Sequence, residues 1–163
     1  DGNELAPGEI GEIVISGWVV MAGYYKDPEA TAAVKRDGKL YTGDLGRFDQ
    51  NGFLYIVGRK KEMIKVAGQI VYAPEVEAAF YKNENIAEAA VIGVPDKMRG
   101  EAVKAVVVLK EGAAATVDDL RYFAKEHLAH FKVPQFIEIR RELPKNRTGK
   151  IDKSILQKEA SIS

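Results

Sequence analysis

The pattern of apolar residues changes near Gly58, and this change constrains the fold more than any other feature of the sequence. Before Gly58, short apolar runs are separated by turn residues, a pattern typical of β-strands. After it, strand-like runs alternate with amphipathic helical segments. Charge changes at the same place: residues 1–57 carry five basic and nine acidic side chains, and residues 58–163 carry nineteen and fifteen. The sequence therefore predicts an α+β protein with two parts that are organised differently and meet near Gly58.

The first part is predicted to be β-rich. A strand is expected over residues 9–16, and Asp27, Pro28 and Glu29 provide a cap and a first turn for a short helix that ends near Ala33. The turn sequence at residues 49–52 joins two strand-like runs. We predict that these runs, residues 40–48 and 53–57, form an antiparallel hairpin.

The second part is predicted to hold its own core, since about 100 residues are enough for one. The apolar periodicity and the capping residues predict strands over residues 63–66, 87–93, 102–109 and 136–140, a turn at Gly68, and helices over residues 74–81, over residues 116–128 and from Asp152 onward.

Composition narrows the function classes. The chain has 24 basic and 24 acidic residues, so it has no global positive field of the kind that draws proteins to nucleic acid. Its longest apolar runs are much shorter than the roughly 20 residues that cross a bilayer, so we predict no membrane span and a cytoplasmic location. The absence of cysteine excludes disulfides and a cysteine nucleophile. Because the sequence begins with Asp-Gly-Asn, we expect a piece of a longer protein.

The hexapeptide at residues 41–46 places Asp44 at a strand end between two glycines. A carboxylate in that position can accept hydrogen bonds from a vicinal diol such as that of a ribose. Taken alone, the motif is a weak signal, and an aspartate held by the hydrogen bonds of a turn is the simpler interpretation.

A basic segment follows at residues 58–68, and it contains Arg59, Lys60, Lys61 and Gly68. Cations after a strand suit a phosphate, and a glycine lets backbone approach a ligand closely. A solvated linker between domains explains the same residues, and a linker is also where a hinge would lie.

The strongest local positive patch lies at residues 140–153, with six basic and two acidic side chains. Thr148, Gly149 and Lys150 suggest a phosphate-binding loop, but the spacing of a Walker motif is missing and Ile151 stands where Ser or Thr is required. A loop that ends in Lys150 suits the delivery of one ammonium to a polyanion.

Two other groups are weaker candidates. His127 and His130 have a spacing that can bind metal, but no third ligand accompanies them, so we predict no metal site. Arg99 lies in a segment between two strands, residues 95–101, for which we predict a turn first and an anion contact second.

In this order, the segments resemble the acyl-adenylate-forming superfamily, which includes acyl-CoA synthetases, luciferases and the adenylation domains of peptide synthetases. The matching motifs cover nearly the whole chain, and they lie at residues 11–17, 23–31, 41–44, 58–61 and 144–150. Residues 94–101 and 131–134 are most similar to the carboxylate-CoA ligases, in particular the fatty-acyl-CoA synthetases. The resemblance implies that residues 1–60 are the end of a large AMP-binding domain with barrel-like strands, and that residues 61–163 are its small mobile C-terminal domain.

Roles follow from the resemblance, position by position. It implies that Asp44 and Arg59 bind the ribose and phosphate of ATP or AMP, that Lys61 is the hinge, and that Lys150 is the catalytic lysine of adenylation. It further implies that the CoA site includes Gly68, Gln69 and Arg99.

The implied substrates are a carboxylic acid, ATP with Mg²⁺, and CoA. The resemblance places the Mg²⁺ site and the acyl pocket in the missing N-terminal domain of the same chain, so we expect this piece alone to be inactive. Two alternatives stay open at this stage: an adenylation domain that loads a carrier protein, and a non-catalytic binding module.

Overall fold

In the computed structural model, which describes residues 2–161, the chain forms two compact units, residues 1–61 and residues 62–163. We call them the N-terminal unit and the C-terminal unit. Two separate β-sheets and four α-helices confirm the predicted α+β class. The barrel-like character expected for the first part stays a prediction.

The N-terminal unit is a four-stranded antiparallel sheet with one short helix. Its elements are β1 (Gly11–Ile15), α1 (Pro28–Val34), β2 (Lys35–Arg36), β3 (Lys39–Phe48) and β4 (Leu54–Arg59). The long strand β3 pairs with each of the other three. The side chain of Asp27 caps α1 by accepting a hydrogen bond from the Ala30 N–H at 2.8 Å, and Pro28 occupies the first turn, as the sequence predicts. The predicted hairpin is confirmed as β3 and β4.

The C-terminal unit is a five-stranded mixed sheet with helices on both faces. Its elements are β5 (Met63–Val66), β6 (Gln69–Tyr72), α2 (Ala73–Phe80), β7 (Ile86–Asp96), β8 (Gly100–Leu109), α3 (Val117–His127), β9 (Phe136–Arg140) and α4 (Lys153–Ala160). Strand β8 is central: it pairs along its length with β7, at Gly100 with β5, and in parallel with β9. Strand β6 was not predicted. It is an edge strand whose apolar residues, Ile70, Val71 and Tyr72, are consecutive, so its sequence shows no alternation.

The alternation of side chains along β7 and β8 builds two cores. One face of the sheet contains Val91 and Val103, and it packs against α2 and α3 in a core that includes Phe80 of α2. The other face contains Ile92 and Val106 and packs against Leu156 of α4, together with Leu143. Because neighbouring strand residues point to opposite faces, one apolar hairpin supplies both layers. Helix α4 and the loop before it are thereby fixed to the second core.

Candidate functional site

The pairing of β3 with β4 brings Asp44 and Arg59 together. They are cross-strand partners in the hairpin, and Arg59 Nε lies 3.0 Å from Asp44 Oδ1. Both side chains retain solvent exposure, so the pair has a face open to a ligand. An arginine and a carboxylate side by side offer donors for phosphate and acceptors for hydroxyl groups at one place.

Thr42, Gly43 and Glu12 hold the strand around Asp44. The Thr42 hydroxyl donates to the Ile13 carbonyl at 2.8 Å and accepts from the Asp44 N–H at 3.1 Å. The Gly43 N–H donates to Glu12 Oε1 at 3.1 Å, with a φ of +73° that glycine adopts readily. These bonds fix the backbone that presents the Asp44 carboxylate.

Glu12 also links this strand to the basic segment. Its second carboxylate oxygen lies 2.8 Å from Lys60 Nζ. The hydrogen bond from Lys60 lowers the pKa of Glu12 against the opposing effect of burial, and the Gly43 N–H lowers it further. Glu12 is therefore a charged anchor for Lys60. The sequence did not single it out, because it precedes its partners by more than thirty residues.

An open pocket of 390 Å³ lies beside the Asp44–Arg59 pair. Three of the five residues that line it are basic; the five are Thr42, Gly43, Arg59, Lys60 and Lys61. Such a lining favours an anion. The predicted hinge residue Lys61 belongs to a 3₁₀ turn, Lys60–Glu62, and it is the last residue of the N-terminal unit.

In the C-terminal unit, Gly68 lies in the two-residue turn between β5 and β6. Ala67 and Gly68 have φ values of +48° and +83°, the pattern of a type I′ hairpin turn. Apart from Gly68 itself and its two chain neighbours, no described residue has an atom within 4 Å of the position that a Cβ at Gly68 would occupy. The glycine is therefore explained by its backbone conformation. Gln69 follows it at the start of β6 and is exposed.

Arg99 lies next to this turn. The Ala67 N–H donates to the Arg99 carbonyl at 2.9 Å, and Val66 pairs with Gly100. The Arg99 guanidinium extends away from the backbone and donates to Gln135 Oε1 at 3.3 Å. The structure thus brings the backbone of Arg99 beside the turn at residues 67–69, at one end of the sheet.

Lys150 lies near the end of a compact loop, residues 144–152, which is organised by Asn146 and which we call the lysine loop. The Asn146 side chain accepts hydrogen bonds from the backbone N–H groups of Thr148 and Lys150 at 2.9 and 3.0 Å. The Asn146 N–H donates to the Lys150 carbonyl at 2.8 Å, and Gly149 adopts a φ of +80°. Asn146 is therefore the centre of the loop, although the sequence drew attention only to the basic residues around it.

The two ends of the loop are joined and anchored. The Asp152 N–H donates to the Pro144 carbonyl at 2.8 Å, and Leu143 is buried in the second core. Lys145 forms an ion pair with Glu88 at 2.6 Å, whereas the ammonium of Lys150 has no ion-pair partner among the described residues. The loop therefore presents two exposed cations, Arg147 and Lys150, from a fixed base.

Residues 2–161 contain no cluster of potential metal ligands and no helix that could cross a membrane. In this range, no group of three or more His, Asp or Glu residues is arranged to hold a metal ion. No helix in the same range has both the length and the apolar character that a membrane crossing requires.

Comparison with known proteins identifies the family. Residues 75–150 match the model described as AMP-binding enzyme C-terminal domain. The chain is 53% identical to a long-chain-fatty-acid–CoA ligase of Bacillus subtilis (strain 168), over 92% of this chain and 27% of that protein. It is 47% identical to a ligase of the same name from Salmonella typhimurium (strain LT2), over 98% of this chain and 28% of that protein.

A solved structure agrees with these relatives. The structure of ATP-bound MatB from Rhodopseudomonas palustris matches with a TM-score of 0.89 at 38% identity, over 97% of this chain and 32% of that one. The chain spans little more than a quarter of the length of the relatives that it matches in sequence, 27% and 28%. Residues 75–150 therefore belong to the family described as AMP-binding enzyme C-terminal domain, and the chain as a whole is similar to part of the long-chain-fatty-acid–CoA ligases.

Proposed function

We propose that this chain is the C-terminal part of an ATP-dependent acyl-CoA synthetase that activates a fatty acid as acyl-AMP and transfers the acyl group to CoA. The observation that carries the proposal is 53% identity over 92% of the chain to a protein named long-chain-fatty-acid–CoA ligase. That name states both the acid and the thiol acceptor.

The reaction has two steps. A carboxylate oxygen of the acid attacks the α-phosphorus of Mg-ATP, the bond to the bridging oxygen breaks, and acyl-AMP and pyrophosphate form. The sulfur of CoA then attacks the acyl carbon, its proton is released, and AMP leaves. Magnesium enters as part of the nucleotide substrate, and a cytoplasmic location accompanies this proposal.

The N-terminal unit contributes the nucleotide contacts. The Asp44 carboxylate accepts hydrogen bonds from the ribose hydroxyls, and Arg59, 3.0 Å away, donates to ribose and phosphate oxygens. The basic lining of the adjacent pocket supports this assignment, because it attracts the negative charge of the nucleotide. Both residues act in both steps, since AMP is part of the intermediate.

The C-terminal unit contributes Lys150 and the CoA contacts. The exposed ammonium of Lys150 reaches the incoming carboxylate and the α-phosphate, and it stabilises the negative charge that develops there. The loop joined at Pro144 and Asp152 supports this role, because a fixed base limits the positions that the ammonium samples. Gly68 and Gln69 face the pantetheine arm, and Arg99 binds a phosphate of CoA.

Lys61 is the hinge about which the C-terminal unit turns between the two steps. Its place at the end of the N-terminal unit supports this assignment. Lys61→Pro restricts φ at that residue and is expected to block rotation. Acyl-AMP formation should persist while CoA transfer is lost, as measured by single-turnover assays of each step. Equal loss of both steps would place the hinge elsewhere.

The function is tested in the full-length parent enzyme with fatty acids, ATP, Mg²⁺ and either CoA or a pantetheinylated carrier protein. We expect thioester formation on CoA; transfer to the carrier protein alone would establish the carrier-loading alternative, and no adenylation of any carboxylic acid would overturn the proposal.

The same assay tests the nucleotide site. Asp44→Asn should raise the KM for ATP about 10- to 100-fold, because a hydrogen bond to a charged group contributes roughly 1.5–3 kcal/mol. It should weaken acyl-AMP binding as well. Asp37→Asn, an exposed change in the same unit, is the control and should leave both steps unchanged. A defect confined to thioester formation would contradict the role of Asp44.

A further inference from the structure

Lys153, at the first turn of α4, makes two ion pairs in a cluster that the reaction itself does not use. Its Nζ lies 2.8 Å from Glu62 Oε2 and 2.9 Å from Glu77 Oε1. The three side chains are only 19%, 24% and 14% exposed. This sets them apart from the other basic residues of the 140–153 patch, most of which point to solvent.

The cluster is also tied to the central sheet. Glu77 Oε1 accepts a hydrogen bond from the Val91 N–H of β7 at 2.7 Å, so Glu77 joins α2, β7 and α4. Burial disfavours the ammonium, but the two carboxylates outweigh it and raise the pKa of Lys153. Lys153 is therefore a cation with fixed partners.

The positions of Glu62 and Lys153 in the sequence connect the cluster to the proposed hinge and to the loop that carries Lys150. Glu62 directly follows Lys61, the residue to which we assign the hinge, and it begins the C-terminal unit. Lys153 lies three residues after Lys150 and directly after Asp152, whose N–H joins the two ends of the lysine loop. One ammonium thus connects the first residue after the hinge with the base of the loop, across 91 residues of sequence.

We propose that Lys153 is a positioning residue for adenylation: by holding Glu62 and Glu77, it makes the loop of Lys150 move as one rigid body with the segment that leaves the hinge. This inference rests on the proposed function. Lys150 must be placed to within a fraction of an ångström to align the carboxylate and the α-phosphate, and a loose connection between hinge and loop would forfeit that alignment.

A purely structural role would have different consequences. Replacing a whole buried ion pair with apolar residues is often tolerated, whereas removing one partner leaves an uncompensated charge and destabilises the fold. If the cluster served stability alone, its loss would lower both half-reactions in proportion to the folded fraction. A positioning role predicts a selective loss of adenylation, because only that step uses Lys150.

The test compares Lys153→Met, Lys153→Arg and the control Lys158→Met in the full-length parent enzyme. Lys158 lies on the same helix and is exposed. For Lys153→Met we expect a roughly 10- to 100-fold fall in the kcat of adenylation, with the KM for ATP unchanged and thioester formation from supplied acyl-AMP within about 2-fold. Lys153→Arg should recover most of the rate, and Lys158→Met should match the parent.

Three results would overturn the inference: unchanged adenylation in Lys153→Met, an equal fall in both steps, or no recovery with Arg. If Lys153→Met does not fold, Glu62→Gln provides the same readout, because it removes the charge of the partner next to the hinge. Lys150→Ala, measured alongside, separates the two proposals. Normal adenylation in Lys150→Ala contradicts the proposed function. If adenylation is lost in Lys150→Ala but normal in Lys153→Met, this inference alone is contradicted.

Discussion

The two units of the chain differ in how their apolar residues are used. Among the described residues of the C-terminal unit, twenty-two apolar side chains are buried, and all of them except Ala79 belong to the two clusters on either face of the sheet. Among the described residues of the N-terminal unit, Leu45 is the one buried apolar side chain, while Trp18 is 95% exposed and Tyr25 is 87% exposed. The C-terminal unit has a core of its own, and the N-terminal unit has a sheet without one.

Because of this difference, the two units hold their candidate site residues in place in different ways. The lysine loop is attached through Leu143 to a buried core, so its geometry depends on packing within the unit. The Asp44–Arg59 pair depends on the backbone register of one hairpin. If the chain is part of the proposed enzyme, we expect the rest of that enzyme to cover exposed apolar residues of the N-terminal unit such as Trp18.

Separating the units gives the largest expected effect. Residues 62–163 expressed alone should fold and unfold cooperatively, whereas residues 1–61 alone should lack cooperative unfolding, because burial of apolar area drives folding. Circular dichroism with urea denaturation measures both. A cooperative unfolding transition in residues 1–61 would contradict the claim that the N-terminal unit has no core of its own.

Truncation of one aromatic side chain in each unit tests whether only the C-terminal unit has a buried core. Phe80→Ala should destabilise residues 62–163 by about 3–5 kcal/mol, since Phe80 is fully buried in the first core. Tyr25→Ala in the whole chain should change its stability by no more than about 0.5 kcal/mol. Urea midpoints for both variants give the comparison, and similar shifts would mean that Tyr25 is packed.

Helix caps give a smaller effect. Thr116 and Asp119 form a reciprocal capping box at the start of α3, with the Thr116 hydroxyl accepting from the Asp119 N–H at 3.2 Å. Thr116→Ala should cost the C-terminal unit about 1 kcal/mol. Asp27→Ala removes the cap of α1 and should leave the transition of the C-terminal unit in place. A shift of that transition would show that the two units are coupled.

The pH dependence of stability should be the smallest effect. The hydrogen bond from Arg140, opposed by burial and assisted by Lys104, holds the pKa of Glu138 below its usual value of 4.5. A carboxylate with a lowered folded-state pKa stabilises the protein above pH 4.5 and loses this contribution as the pH falls through the folded-state value. Glu138→Gln should therefore flatten the fall in melting temperature below pH 4.5. An unchanged slope would exclude Glu138 as its source.

Much of the fold was accessible from the sequence because local signals were strong. The alternation of apolar and charged residues in β5 and β9 gave their bounds, Met63–Val66 and Phe136–Arg140, directly. Capping residues located the starts of α1 and α4. The strand β2 was missed because two residues are too few to show a period of two, and β6 was missed because its apolar residues are consecutive rather than alternating.

The arrangement of the site was less accessible. Asp44 and Arg59 are brought together by the register of β3 with β4, and that register shifts between Leu45 and Gly46. An irregularity of this kind leaves no pattern in the alternation of side chains. The cluster of Lys153 with Glu62 and Glu77 joins residues far apart in sequence, so it emerges only when α4 packs on the sheet.

The proposed role of Lys150 in adenylation is tested by the rate of each half-reaction in Lys150→Ala of the full-length enzyme. Adenylation should fall roughly 100-fold or more, because one preorganised electrostatic contact is lost. Thioester formation from synthetic acyl-AMP and CoA should survive, and Arg147→Ala, in the same loop, should cost far less. Normal adenylation in Lys150→Ala, or failure of acyl-AMP to restore thioester formation, would contradict the account.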